Sequence, residues 1–243
     1  MLLTLLLVHC GTRSPVDLAQ PLAETLVTPD LKIIELSEGL FIHVSYNMVP
    51  GFGRVASNGL IYVNGNEAMV FDTPMDDKGS RELLAWIEQQ PFRATKVVVN
   101  HHHADGLGGL DVFHEAGIQS FGHTSTVELA RGIGLEPPES TFADSLTIPH
   151  GTEVVHVIYP GPAHTVDNIA AWIPEHKLLF GGCMVKSLSS NRGFVGDADT
   201  LRWAATVQHL KNRFSNAKIV IPGHGKHGDR SLLDYTIAMF GGQ

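Results

Sequence analysis

The order of strand-like and helix-like segments predicts an α/β fold: two packed β-sheets with helices on the outer faces. Three observations carry the expectation. Each half of the chain runs through strands first and helices after. The strand candidates are short, and residues 96–99 are a β-branched run as expected of a buried strand. Four of them end in loops that bring histidine, aspartate or cysteine together with glycine.

The elements follow in order from Leu31. Residues 32–37 and 40–46 alternate like paired strands, with Glu38-Gly39 as the turn. Residues 60–63 and 68–72 flank Asn64-Gly65-Asn66-Glu67, a hairpin signal. Residues 76–90 read as a helix whose apolar face is Leu83, Leu84, Trp86 and Ile87, stopped by Pro91. Residues 96–99 form a buried strand that ends on Asn100 and His101-His102-His103. In the second half, residues 118–121 read as a strand and 124–131 as a helix stopped by Gly132. Residues 153–159 lead into the loop Pro160-Gly161-Pro162-Ala163-His164, and 168–173 pair with 177–180 as a hairpin. The helix expected over 200–215 puts Trp203, Val207, Leu210 and Phe214 on one face. A strand over 217–221 runs into Pro222-Gly223-His224-Gly225, and a helix over 230–240 closes the chain.

Composition narrows the function. The 243 residues are 43% hydrophobic and 17% charged, an ordinary globular balance. Seventeen Lys and Arg face 25 Asp and Glu, a net charge of −8, which argues against a nucleic-acid partner. Two cysteines, Cys10 and Cys183, exclude a disulfide scaffold. No apolar run reaches the ~18–20 residues of a transmembrane helix. Residues 1–8 are apolar except for Thr4 and resemble the core of a secretory signal. Cys10 just after them resembles the lipid-anchored cysteine of a bacterial lipoprotein; a plain signal enclosing Cys10 and a frayed cytosolic terminus are the other readings. Residues 1–30, with Pro15, Pro21 and Pro29, are expected to be signal and tether, and 31–243 the folded domain.

The chemistry is concentrated at strand ends. In extended backbone, residues two apart point the same way, so His101, His103 and Asp105 can converge. Imidazole and carboxylate are common zinc ligands. His102 has the opposite phase and reads as a solvent-facing or ligand-supporting histidine. His164, Cys183 and His224 each follow a strand through a turn rich in glycine or proline.

Taken together, His101-x-His103-x-Asp105, Gly161-Pro162-Ala163-His164, Gly181-Gly182-Cys183-Met184-Val185-Lys186 and Pro222-Gly223-His224-Gly225 resemble a metallo-β-lactamase. The resemblance is to the dizinc subclass B1, which uses a cysteine, and runs from about Leu31 to Tyr235. Related glyoxalases, nucleases and lactonases usually carry histidine where this chain has Gly106, and aspartate where it has Cys183. The mono-zinc lactamases usually have asparagine where this chain has His101.

The resemblance implies an αββα sandwich of two mixed sheets and a cofactor of two Zn2+. His101, His103 and His164 would hold one ion; Asp105, Cys183 and His224 would hold the other. Asp105 and Lys186 are the expected catalytic residues, with Lys186 reading the carboxylate beside the lactam ring. The segment Val49-Pro50-Gly51-Phe52-Gly53 would be a flap over substrate, tipped by Phe52. The family often has an asparagine near Gly193; here Phe194 follows, and Asn191 is the candidate to substitute for it. Asp72 and Asp197 are expected either to orient ligands or to cap turns. The implied reaction is hydrolysis of a small-molecule β-lactam by a zinc-bound hydroxide, in the periplasm, by a monomer. Another hydrolase of the same fold, such as a lactonase or thioesterase, and a non-catalytic periplasmic zinc-binding protein are the alternatives.

Overall fold

The computed structural model describes residues 21–242. The signal-like segment and Cys10 lie outside them. Strands β1 (Ala23–Thr28), β2 (Leu31–Ser37), β3 (Leu40–Val49), β4 (Gly53–Asn64) and β5 (Glu67–Phe71) form an antiparallel run. After helix α1 (Asp77–Glu88), β6 (Arg93–Val98) pairs parallel to β5. Helices α2 (Ala104–Leu107) and α3 (Leu110–Glu115) lead to β7 (Gln119–His123), and α4 (Thr126–Gly132) leads to β8 (Ser140–Phe142). Both strands continue the sheet in parallel, completing eight strands in chain order.

The second sheet has five strands in the order β13-β12-β11-β10-β9. Strands β9 (Ser145–His150), β10 (Glu153–Ile158), β11 (Ala170–Ile173) and β12 (Leu178–Gly182) pair antiparallel. Beyond α5 (Thr200–Arg213), β13 (Ile219–Pro222) pairs parallel to β12, and α6 (Ser231–Phe240) follows.

Both sheets are mixed, and their strands are apolar on two faces. Leu60 and Tyr62 point into the core between the sheets, whereas Ile61 and Val63 point under α1 and α3. On the other sheet, Ala171 and Ile173 face the central core, while Ala170 and Trp172 face α5 and α6. The period of two thus loads three apolar layers at once. The result is the expected αββα sandwich.

Several boundaries needed tertiary information. The expectation of a tether as far as residue 30 is corrected: Ala23–Thr28 is an edge strand paired to β2. Its side chains are mostly exposed, so no apolar alternation marks it. Strand β9 was not anticipated either. It contains Pro149 and lies at a sheet edge, where a missing backbone donor is tolerated. Glycines 106, 108 and 109 disguise α2 and α3 as loop. Gly109 is required there, because an added Cβ would lie 2.1 Å from Ser80 Oγ. Strand β4 begins at Gly53 rather than near residue 60, so β3 and β4 make one long ribbon. Its turn is Pro50-Gly51-Phe52, closed by Phe52 N–H on Val49 O at 3.0 Å.

Candidate metal centre

The site lies where the two sheets meet at one edge. Just past β6, Asn100 ties them together. Its backbone N–H donates to Asp72 Oδ1 at 2.6 Å, its backbone carbonyl accepts from Ile169 N at 2.9 Å, and its side-chain amide also donates to Ile169 O. Asp72 is buried with φ of 60°, so it anchors this junction from a strained backbone rather than joining the donor cluster. Burial pushes its carboxyl well above the ordinary range, and the Asp105 carboxylate adds to the rise.

His101 is fully buried. The expectation that His101, His103 and Asp105 converge from extended backbone is corrected. The chain turns at the histidines and Asp105 sits in the first turn of α2, so His101 and Asp105 meet across four residues, Nε2 to Oδ1 at 3.3 Å. His164 arrives from the loop after β10, with Nε2 3.2 Å from His103 Nδ1. Cys183 follows β12 directly; its Sγ lies 3.1 Å from Asp105 Oδ2 and 3.3 Å from His224 Nε2. His224 follows β13 and lies 3.0 Å from Asp105 Oδ2. Donor atoms of His101, His103 and His164 lie within 4.8 Å of one another, as do those of His101, Asp105 and Cys183.

This donor set fits a cation. His101 Nδ1 and His164 Nδ1 are buried without a hydrogen-bond partner among the described residues, and His101 Nε2 has only its 3.3 Å approach to Asp105 Oδ1, a costly arrangement unless something ligates these rings. Burial, together with neighbouring His101, holds the His103 and His164 rings below the ordinary imidazole range, so they stay neutral. Burial works to raise the Asp105 carboxyl, yet His101 and His224 outweigh it and hold it well below the usual range. The Cys183 thiol is pushed well up by burial and by Asp105. A bound cation reverses that and favours the thiolate.

Supporting contacts fix the rings. His103 Nε2 is 2.8 Å from Asp197 Oδ2, and His224 Nδ1 donates to Ala56 O at 2.8 Å. Asp197 therefore orients a candidate ligand rather than capping a turn. His102 is buried and does not face solvent: its Nδ1 is 2.9 Å from Asp167 Oδ1, and Thr126 Oγ1 donates to Asp167 Oδ2 at 2.7 Å. Asn58 was not singled out from sequence. Its Nδ2 donates to Pro222 O and Gly225 O at 2.9 and 2.8 Å, stapling the His224 loop. A polar Ser57-Asn58 pair inside the otherwise apolar 55–63 stretch is the only local signal.

Above the cluster opens a cavity of about 870 Å³. Met48, Pro50 and Phe52 line it on the ribbon side; Lys186, Asn191 and Phe194 line the other. Phe52 and Phe194 are 56% and 47% exposed, so neither is a core residue. The Phe194 ring stands edge-on to His103 at 5.7 Å. Asn191 accepts from Gly193 N at 2.9 Å through its side-chain oxygen, closing the local turn. Burial pushes the Lys186 amine down from its ordinary value.

A four-layer sandwich with a His/Asp/Cys cluster and an open cavity at one edge defines a metal-dependent hydrolase fold. The chain belongs to the metallo-β-lactamase superfamily, whose family model matches residues 52–224. It is 36% identical to a type 2 metallo-β-lactamase of Bacteroides fragilis, over 86% of this chain and 85% of that one. It is 35% identical to that of Bacillus cereus, over 86% and 82%. Among solved structures it is similar to a metallo-β-lactamase from Pontibacter korlensis, with a TM-score of 0.83, 35% identity, and 88% and 100% of the two chains covered. The DIM-1 metallo-β-lactamase exposed to ceftazidime gives a TM-score of 0.84 at 38% identity, with 88% and 97% covered. The resemblance to subclass B1 is borne out. The family implies zinc. No helix among the described residues is long and apolar enough to cross a membrane.

Proposed function

We propose that this protein is a zinc-dependent hydrolase that opens the β-lactam ring of antibiotics and so confers resistance. The observation that carries the reading is the convergence of six donor side chains from four loops beneath a cavity that also holds Lys186. His101, His103 and His164 would hold one zinc; Asp105, Cys183 and His224 would hold a second. Zinc bound there polarises a carbonyl and makes water nucleophilic near neutral pH. The protein's own groups do the rest. Three neutral imidazoles would leave a first ion its full positive charge, while Asp105 and the Cys183 thiolate would neutralise a second. Asp105, held ionised, would serve as a ligand and orient the attacking water by accepting a hydrogen bond from it. Lys186 pairs with the substrate carboxylate, and Phe52 covers the ring system from the ribbon tip. Phe194 supplies a second aromatic wall, and Asn191 shapes the loop between Lys186 and Phe194.

The signal-like start supports export to the periplasm, with Cys10 as a candidate lipid anchor. A monomer is sufficient, since one chain supplies every group of the site.

Nitrocefin turnover with and without a chelator tests the reading. Turnover should vanish on chelation and return with zinc. Turnover that survives complete metal removal would refute the metal chemistry. Metal-dependent cleavage of lactones or thioesters, with no β-lactam turnover, would move the protein to a different hydrolase class.

A further inference from the structure

Lys186 sits in an unusual place for a lysine. It is 8% exposed, and its ammonium makes neither an ion pair nor a hydrogen bond among the described residues. What it has is the face of an indole: Nζ lies 4.9 Å from the Trp203 ring centroid.

Trp203 is fully buried in α5 and touches the site from behind at two further points. Its indole N–H donates to Met184 O at 2.7 Å, in the turn between Cys183 and Lys186. Its ring lies 5.7 Å from that of His164. Its far face stacks on Phe240 of α6 at 4.0 Å, 7° from parallel, so the ring is held from both sides.

The chemistry of this arrangement matters for recognition. Burial disfavours a charged lysine. A carboxylate partner would offset that, but it would also compete with any carboxylate arriving on a substrate. An aromatic face stabilises a cation through its quadrupole and presents no anion to be displaced. The ammonium can then stay charged and still be available to the cavity that Lys186 lines.

We propose that Trp203 is a positioning residue for substrate recognition: its indole face holds the Lys186 ammonium ready for the substrate carboxylate. The inference rests on the reading of Lys186 as the carboxylate partner. It adds a residue remote in sequence, reached through the packing of α5 against the site.

The test compares the free acid and the methyl ester of one β-lactam with the zinc-loaded enzyme. Trp203→Leu removes the π face. It should lower kcat/KM for the acid about 5- to 30-fold more than for the ester, mainly through KM. Trp203→Phe keeps a π face and should leave the acid-to-ester ratio within about twofold of wild type. In a Lys186→Ala background, Trp203→Leu should leave that ratio unchanged. An unchanged ratio in Trp203→Leu, while Lys186→Ala lowers it, overturns the positioning role. An unchanged ratio in Lys186→Ala overturns the carboxylate reading itself, so the two failures are distinguishable. Wild-type NMR decides the matter even if Trp203→Leu does not fold. The Lys186 ε-methylene signal, identified by its loss in Lys186→Ala, should be shifted upfield by the indole ring current. A random-coil position for that signal overturns the inference.

Discussion

Gly223→Ala probes the half of the site that contains sulfur. Gly223 lies between β13 and His224, packed against Cys183. An added Cβ would sit 2.4 Å from Cys183 Sγ, 2.6 Å from its N and 2.9 Å from its Cα. Ordinary contact begins near 3.4 Å, so the two loops must separate by about 1 Å. Two of the three obstructing atoms are main-chain, and a rotamer change at Cys183 does not clear them. Retreat of the Gly223 loop is opposed by Asn58, whose backbone N–H donates to Gly223 O at 2.8 Å and whose side-chain amide donates to Pro222 O and Gly225 O. Overpacking of this kind costs about 1–3 kcal/mol. The larger effect is local: Cys183 Sγ and His224 Nε2, now 3.3 Å apart, would be driven out of register. A misplacement of about 1 Å can cost on the order of 100-fold in rate. The His101, His103 and His164 triad has no contact with Gly223 and should keep its metal. The assay is metal content by elemental analysis, together with the thiolate-to-metal absorption band of the cobalt-substituted protein. Gly223→Ala should retain about half the wild-type metal, lose the band, and fall about 100-fold in kcat/KM. A full metal complement, an intact band and kcat/KM within about threefold of wild type would show that the loops yield freely, and the packing argument would fail.

Three further expectations come from other parts of the molecule. Cys183→Ser should leave the three-histidine triad metallated while activity drops strongly; loss of all bound metal in this variant would count against two separate triads. Phe194→Asn should change kcat less than about tenfold, because a dipositive ion beside a developing oxyanion already supplies most of the field. A hundredfold gain in kcat would show instead that a missing side-chain donor limits the enzyme. His43, buried in β3 with Nε2 3.2 Å from Asp72 O, has its pKa lowered by burial from 6.5 to about 4. The unfolded chain therefore takes up the proton first as pH falls, so His43 withdraws stability from about pH 6.5 down to about pH 4, by roughly 3 kcal/mol in all. Denaturant unfolding at pH 7 and pH 4.5 should show a larger drop for wild type than for His43→Phe; equal drops would refute this assignment.

The donor residues were legible in the sequence because each sits at or just past the end of a short apolar strand, beside glycine or proline, a local pattern that needs no partner to be seen. His101, Cys183 and His224 belong to this group, and the run after Cys183 made Lys186 stand out. The layering was likewise legible, because the order of strands and then helices in each half calls for two packed sheets with helices outside. Other features depended on groups far away in the chain. His102 could not be placed until Asp167 was seen to meet it across 65 residues. Strand β1 has no buried face of its own and exists through its backbone pairing to β2. The convergence of His101 and Asp105 came from the start of a short helix hidden among glycines, not from the extended backbone that the spacing suggested. Trp203 looked like an ordinary core position on an amphipathic helix. Only the packing of α5 against the loop after β12 sets its indole beneath Lys186. Sequence determines which groups are available and which local turns present them; contacts between distant segments decide which groups face one another, because those depend on the register of both sheets and on the layers packed over them.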